Sequence, residues 1–365
     1  MKITVPNLGN TRYAAKALFN GLNIEYIMPP ISNKETIAIG SLYSPEEICL
    51  PFKIMLGNYI QSIKNGADTI IITGSCGPCR YGEYCELQMN ILKKLGYNLD
   101  FIVLDYPKSL GYEEFFSRLN AINKESKIDN IQKLKVLKTT KSIINSLDKL
   151  DDKAKFLSGY EKSRGISKIL LNSCKNEIEK LNSPDKVLST IKEYTKKLNN
   201  IELDKTKKPL KIAIIGEIYT IIEPFSNLFI EDKLMDYGVS SKRGLTPSWW
   251  VKNATLSPIK LNSLNLRYNS LKYLPYYIGG HARETIGEAV IAGNSDIDGI
   301  IQIFPMGCMP EIVSKSILPT ISKDLNIPIM TLIVDEMTGE TGYITRIEAF
   351  LDLLERRKEN VLYGN

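Results

Sequence analysis

Three of the six cysteines, Cys76, Cys79 and Cys85, stand within ten residues of one another in the run TGSCGPCRYGEYCEL, residues 73–87. Thiolates ligate metals, attack electrophiles and exchange electrons as dithiols. The pair Cys76/Cys79 is a CxxC, which alone fits a redox dithiol, half a zinc site or part of a cluster site. The Gly-Pro between the two cysteines, with Gly74 just before them, suits close approach to a bulky ligand. Cys308, in IIQIFPMGCMPE, likewise follows an apolar run, and Cys49, in PEEICLPFK, stands just before Pro51. Proline is favoured in the first turn of a helix. All these sulfurs are thus expected at strand ends or helix starts, where α/β folds gather their ligands. Free N–H groups and the positive dipole end there predict lowered thiolate pKa values. Cys174, in LLNSCKNEIEK, and Cys85 read instead as small helical packing residues.

Structural zinc usually shows two close ligand pairs, and only one is present. A dithiol leaves Cys49 and Cys308 unused. Iron–sulfur clusters accept ligands collected singly from distant loops, so the pattern favours a cluster over zinc, and zinc over a dithiol. The one histidine, His281, excludes an all-histidine metal site and argues against a Ser/His/Asp triad. No GxxxxGK[ST] occurs and no GxGxxG follows a strand, which argues against ATP hydrolysis or NAD binding by this chain unaided.

Polar candidates follow strand-like runs as well. Glu217 and Tyr219 lie in GEIYTIIEPFSN. His281, Arg283 and Glu284 lie in GGHARETIG, either lining a pocket or forming an exposed helix start. Asp335 and Glu336 end a strand as catalytic acids or as caps for backbone amides, and Asp105 and Tyr106 repeat that placement earlier in the chain.

The elements that must position these residues alternate. KITV, IEYIMP, ADTIIITGS and LDFIVLDYP are apolar, strand-like runs separated by the helix-like TRYAAKALFNGL, the segment after Pro51 and YCELQMNILKKLGYN. Continuous β-branched runs are typical of parallel strands buried on both faces. The pattern changes at about residue 110 to Lys-, Asn-, Leu- and Ile-rich helical periodicity, then resumes after LDKTKKPL (203–210), which reads as a linker. LKIAIIGEIYT, DGIIQIFPMGCMPE and IPIMTLIVDEM give strands, and NLFIEDKLMDYG, ARETIGEAVIAGNS and the closing GYITRIEAFLDLLERRKEN give helices. The expectation is an α/β domain over 1–110 with Cys49, Cys76 and Cys79, a helical, lysine-rich segment over 111–207, and an α/β domain over 208–365 with Cys308. Each α/β domain is expected to hold a parallel sheet.

The chain's 365 residues exceed what one core usually organises. Hydrophobic and charged fractions of 43% and 24% are those of a globular protein. No apolar run approaches a bilayer span, and MKITVPNLGN lacks the features of a secretory signal, so a cytoplasmic location is expected. Residues 121–200 carry 18 Lys+Arg against 10 Asp+Glu, a net +8 in a chain of net +6. Diffuse lysines on helices are solvated faces. The interleaved Arg and aromatic residues of a nucleic-acid surface are missing.

CLPFK, GSCGPCRYGEY, GEIYT, GGHARETIGEAV, FPMGCMPEIVSKSILPTIS and VDEMTGETGYITRIEAFLDLL together resemble the 2-hydroxyacyl-CoA dehydratase / benzoyl-CoA reductase / double-cubane-cluster superfamily, in its acyl-CoA dehydratase activase-related branch. The likeness spans residues 1–107 and 211–358. It implies two flavodoxin/Rossmann-like domains and an oxygen-sensitive [4Fe-4S] cluster, with a double-cubane cluster or zinc as alternatives. It also implies low-potential electrons delivered by an ATP-hydrolysing activase with its own cluster, for reduction or dehydration of an acyl-CoA or small substrate. Carried onto this chain, Cys49, Cys76 and Cys308 are the three ligands of the dehydratase pattern. Cys79 is a fourth, and it departs from that pattern by closing the cluster, which suits electron transfer. Glu217, Tyr219 and His281 are then expected to position substrate. The non-enzymatic alternative is a metal-binding partner or assembly subunit, and a homodimer is the default assembly.

Overall fold

The computed structural model describes residues 1–73, 79–104, 111–256 and 261–363. It is an α/β protein with two four-stranded, all-parallel sheets. The first contains β1 (Lys2–Thr4), β2 (Glu25–Tyr26), β3 (Thr69–Thr73) and β4 (Asp100–Leu104) in the order β2-β1-β3-β4. The second contains β5 (Lys211–Gly216), β6 (Ser240–Arg243), β7 (Gly299–Pro305) and β8 (Ile329–Val334) in the order β6-β5-β7-β8. All ladders are parallel, for example Thr69↔Asp100 through Thr73↔Leu104 and Ile300↔Ile329 through Pro305↔Val334. Every residue of β7 is buried, which accounts for its unbroken apolar character. The two sheets share one order without a shared sequence pattern. In each, the order reverses between the first and third strands, leaving a crevice beyond the carboxyl ends of β1/β3 and of β5/β7.

Helices α1 (Thr11–Gly21), α2 (Lys34–Tyr43), α3 (Leu50–Lys64) and α4 (Tyr84–Lys94) belong to the first sheet. Asn33 starts α2 with a capping box, taking the amides of Glu35 and Thr36 while the Thr36 hydroxyl receives the amide of Asn33. α2 and α3 press backbone to backbone at two glycines. A Cβ at Gly40 would meet Lys53 O at 1.8 Å, and one at Gly57 would meet Thr36 O at 2.0 Å. This crossing fixes α3, and therefore Cys49 at its start.

Between the sheets run α5 (Tyr112–Glu125), α6 (Asn130–Leu157), α7 (Ile166–Lys180) and α8 (Pro184–Asn199). Ile143, Leu147, Leu150, Leu171, Ile178 and Ile191 pack here around a fully buried Cys174, so that cysteine is a packing residue as expected. The same cluster takes in Tyr13 and Ala17 of α1 and Met235 beyond β5, so the helical segment rests on both α/β units. The run 203–210, expected as a linker, is tied down. Leu203 bridges Glu161, Asp204 N donates to Tyr160 O at 2.8 Å, and Lys207 Nζ donates to Glu161 O at 2.8 Å.

The second sheet carries α9 (Ile218–Ile222), α10 (Ile230–Asp236), α11 (Pro247–Leu256), α12 (Leu264–Ser270), α13 (Ala282–Gly293), α14 (Met309–Asp324) and α15 (Glu340–Tyr363). One apolar interior joins the two sheets: Phe52, Ile54, Tyr59 and Ile70 lie in the same cluster as Ile212, Ile301, Leu332, Tyr343 and Ile347. Among the described residues, no helix is long and apolar enough to cross a membrane.

Candidate metal centre at the facing switch points

Cys79 follows β3, Glu217 follows β5 and Cys308 follows β7, while Cys49 lies between α2 and α3; contacts from Arg80 to Cys49 and to Gly307 bring the first and second units' loops into one region. Cys49 is the N-cap of α3 and Cys308 the N-cap of α14, each followed by proline two residues on. Cys79 precedes a short 3-10 turn, Arg80–Glu83, that runs into α4. Cys49 and Cys308 are buried and Cys79 is half-buried. Cys76 lies outside the described residues.

Arg80 ties these loops together. Its Nη2 donates to Cys49 Sγ at 3.0 Å and to Gly307 O, the carbonyl before Cys308, at 2.6 Å, while Nη1 donates to Glu47 O at 3.0 Å. The Tyr84 hydroxyl also hydrogen-bonds the Cys49 sulfur. A second tie between the sheets is buried Lys53 on α3, which pairs with Glu336 after β8 and donates to Glu46 O at 2.9 Å. Asp335 takes the amide of Met337 and the Thr338 hydroxyl. Of the two roles open to Asp335 and Glu336, capping and pairing are the ones in place. Asp105 and Tyr106 lie outside the described residues.

The thiol electrostatics run opposite to the helix-start expectation. Burial pushes the Cys308 thiol far up, and Glu217 and Glu311 add to the rise despite a backbone N–H of Glu311 on the sulfur. Burial likewise raises Cys79, with Glu217 and Cys49 contributing and the Tyr81 N–H and Arg80 opposing. Desolvation outweighs the few N–H groups at each helix start. Cys49 bears on both other thiols and Glu217 bears on both as well, which places the four side chains in one electrostatic neighbourhood.

Glu217 caps α9. Its carboxylate takes the amides of Tyr219 and Thr220 and the Thr220 hydroxyl, at 2.7 to 3.0 Å. Tyr219, expected at the ligand edge, is instead a core residue, 5% exposed, in the shared apolar interior; its one-turn helix rotates the ring inward. His281 is the N-cap residue of α13, half-buried, its ring edge-on to Trp249 at 6.0 Å. Gly280 beside it packs on Pro310, so this turn abuts the Cys308 loop. Arg283 covers the Tyr277 ring at 4.8 Å, and Glu284 is buried. Cys85 packs against the shared interior.

Arg80, Tyr84, Lys53 and Glu311 were not singled out from sequence. The repeated Cys-x-Pro at 49–51 and 308–310 was the available signal for matched helix starts, and the arginine directly after the CxxC was the signal for a sulfur-facing cation.

Behind α14 the second unit buries further acids. Glu311 donates no charge to solvent: Gln302 Nε2 and Thr285 Oγ1 hydrogen-bond its carboxyl at 2.9 and 2.8 Å. Glu288 on α13 has neither oxygen partnered among the described residues, and burial, with Glu284 and Glu311 nearby, pushes its pKa up to about 8 against Arg243 and Lys242. A carboxyl held protonated in the folded chain but ionised when unfolded makes stability fall as pH rises from about 4.5 toward 8. The slope is on the order of 1 kcal/mol per pH unit for one such group. Glu288→Gln is expected to flatten this decline and to raise the denaturation midpoint at pH 8, measured against the parent at pH 5. An unchanged slope would place the titration elsewhere.

Among the described residues, no three Cys, His, Asp or Glu side chains are arranged to hold a metal ion by themselves. The donor chemistry nonetheless fits an iron–sulfur group: three cysteines at helix starts, backbone N–H groups on two of the sulfurs, and a guanidinium and a phenol on the third. No protein-family model matches the chain, and no curated protein matches it either.

Proposed function

We propose that the chain is an iron–sulfur redox protein of the 2-hydroxyacyl-CoA dehydratase-like superfamily, holding a [4Fe-4S] cluster and taking low-potential electrons from an ATP-hydrolysing activase. Its electrons would go to reduction or dehydration of a small or acyl-CoA substrate in the cytoplasm. The observation that supports this is the Arg80 clamp, which joins the Cys49 sulfur to the loop of Cys308 directly beside Cys79.

Cys49, Cys76, Cys79 and Cys308 would hold the cluster, which supplies one-electron transfer when bound. Arg80 and Tyr84 offset the negative charge at Cys49, and the N–H groups of Tyr81 and Glu311 do so at Cys79 and Cys308. Hydrogen bonds to sulfur and burial are the levers that set such a centre's potential. Glu217 orients α9 beneath the site through its capping bonds. Of the three residues expected to position substrate, Tyr219 is buried and the half-buried Glu217 spends its carboxylate on capping α9, which leaves the half-buried His281 as the substrate-facing candidate.

Protein purified without oxygen is expected to be brown, with iron and acid-labile sulfide in equal amounts, and to be bleached by ATP plus an activase of the cluster-bearing ATPase class whose own cluster has first been reduced by dithionite. A colourless protein carrying zinc would overturn the redox reading in favour of a structural metal.

A further inference from the structure

The two halves of α6 are treated differently by the fold. Every buried residue of the helix lies from Ile143 onward, in the half that packs between the sheets. In its first three turns Ile131, Leu134 and Leu137 are 81%, 67% and 51% exposed. Single exposed aliphatic residues need no explanation, but these three form one i, i+3, i+6 row along the helix. The inward side of the same turns is carried by Val136, half-buried beside Gly21 of α1, so the row makes no part of the core.

Lys135, Lys138 and Lys141, all exposed, form a second row beside the first. Each follows one of the apolar side chains by four residues and so lies one turn further along the same face. Over residues 121–141 the chain carries six lysines against Glu125 and Asp129, a net +4. The acids at hand are already engaged. Glu125 lies 3.8 Å from the N-terminal ammonium, Asp129 accepts the amide of Gln132 as the N-cap of α6, and Asp185 pairs with Lys135. Lys124, Lys127, Lys138 and Lys141 have no ion pair among the described residues. Lysines elsewhere on the helical segment are scattered; here they are ranked beside exposed apolar surface.

We propose that this face of α6 docks on an anionic lipid surface, the aliphatic row entering the headgroup layer and the lysines meeting its phosphates and carboxylates. The occupant must be apolar where Ile131, Leu134 and Leu137 touch it and negative around them, and anionic lipid is both. Apolar and basic side chains on one exposed helix face are the pattern of helices that lie in a membrane interface. Lysine suits that layer because its stem lies along apolar surface while its ammonium stays among the headgroups. At about 100° per residue the two rows together cover about 160° of the helix. That is a convex face suited to a plane, wider than the seam offered to one partner helix. A second copy docked through the same face would set lysine row against lysine row. Residues 129–141 contain neither arginine nor an aromatic side chain, which disfavours nucleic acid. The surface is independent of the sulfur centre and of the reaction proposed there.

Sedimentation of the full chain, purified without oxygen, with lipid vesicles tests this. Phosphatidylcholine vesicles containing about 30% phosphatidylserine are expected to carry down at least about tenfold more protein than phosphatidylcholine alone. The difference should shrink as salt is raised toward about 0.5 M. Leu134→Gln with Leu137→Gln, and separately Lys138→Gln with Lys141→Gln, are each expected to lower binding about fivefold or more. Neither pair should lower the melting temperature, because all four side chains are exposed. Lys205→Gln with Lys208→Gln removes the same charge from another exposed stretch and should leave binding near that of the parent. Equal sedimentation with both vesicles, sedimentation with neither, or an equal loss in the Lys205/Lys208 variant overturns the proposal. So does self-association of the parent that Leu134→Gln abolishes, which would assign the face to a second copy. Binding of polyglutamate without binding of vesicles would assign it to an acidic protein and overturn the lipid docking as well.

Discussion

Cys308→Ser is expected to lose essentially all of its iron and sulfide while remaining folded. Cys308 supplies a buried sulfur at the start of α14, and serine preserves its size and N-cap geometry while removing the soft donor. Cys49→Ser should behave in the same way and should also release Arg80, which now has only the Glu47 and Gly307 carbonyls. Cys174→Ala is the control. That cysteine is fully buried among Leu171, Ile178 and Ile191, remote from the sulfur loops, so its loss should lower stability and leave the iron content unchanged. The readouts are iron and sulfide per chain, visible absorbance and circular dichroism. A Cys308→Ser protein that keeps its full iron complement would remove Cys308 from the ligand set and the proposed centre with it.

Glu231→Gln should cost about 3–5 kcal/mol of stability at neutral pH, the range seen when one partner of a buried ion pair is removed. Glu231 Oε2 accepts Arg243 Nη1 at 2.6 Å and Lys155 Nζ at 2.7 Å, and all three side chains are buried. The amide leaves two desolvated cations with one acid fewer. Asp151 completes the network. Burial pushes its carboxyl up, but Lys155 and Lys175 outweigh that and hold it well below the usual carboxylate range. A depressed acid contributes stability above its unfolded pKa, and that contribution is lost as pH falls through and below about 4. Urea titrations at pH 7 and pH 3.5 should therefore show the penalty of Glu231→Gln on top of an acid-driven fall that Asp151→Asn removes. A penalty under about 1 kcal/mol would show that the network is solvated rather than buried.

The architecture was legible where sequence chemistry is redundant. β3 and β7 are β-branched runs buried on both faces, and α3 and α14 are announced by proline in the first turn. β6 escaped notice because Ser240–Arg243 is polar. It is an edge strand whose serines and arginine are buried against α6 and the ion-pair network, so partners rather than periodicity hold it in the sheet. α2, with its Asn33 capping box, was also missed, since its packing rests on glycines in place of an apolar stripe. At the candidate site the cysteine types and local starts were readable. Their shared neighbourhood was expected from the family resemblance; what the residues alone did not give was how the loops are held together, since the Arg80 contacts depend on two sheets turning their carboxyl edges together. Tyr219 shows the same gap in reverse: its place after a strand was read correctly, but the single turn of α9 directs its ring into the core.

The interior shared by both sheets sets how anything reaches the sulfur loops. Burying one large apolar side chain contributes about 1.5–3 kcal/mol, and whole domains are stable by only about 5–15 kcal/mol. Parting Phe52, Tyr59 and Ile54 from Ile301, Leu332 and Tyr343 in a clamshell motion would consume most of that margin. The two lobes therefore move as one body, and under the proposed function electrons and reactants would have to arrive through the loops at the rim.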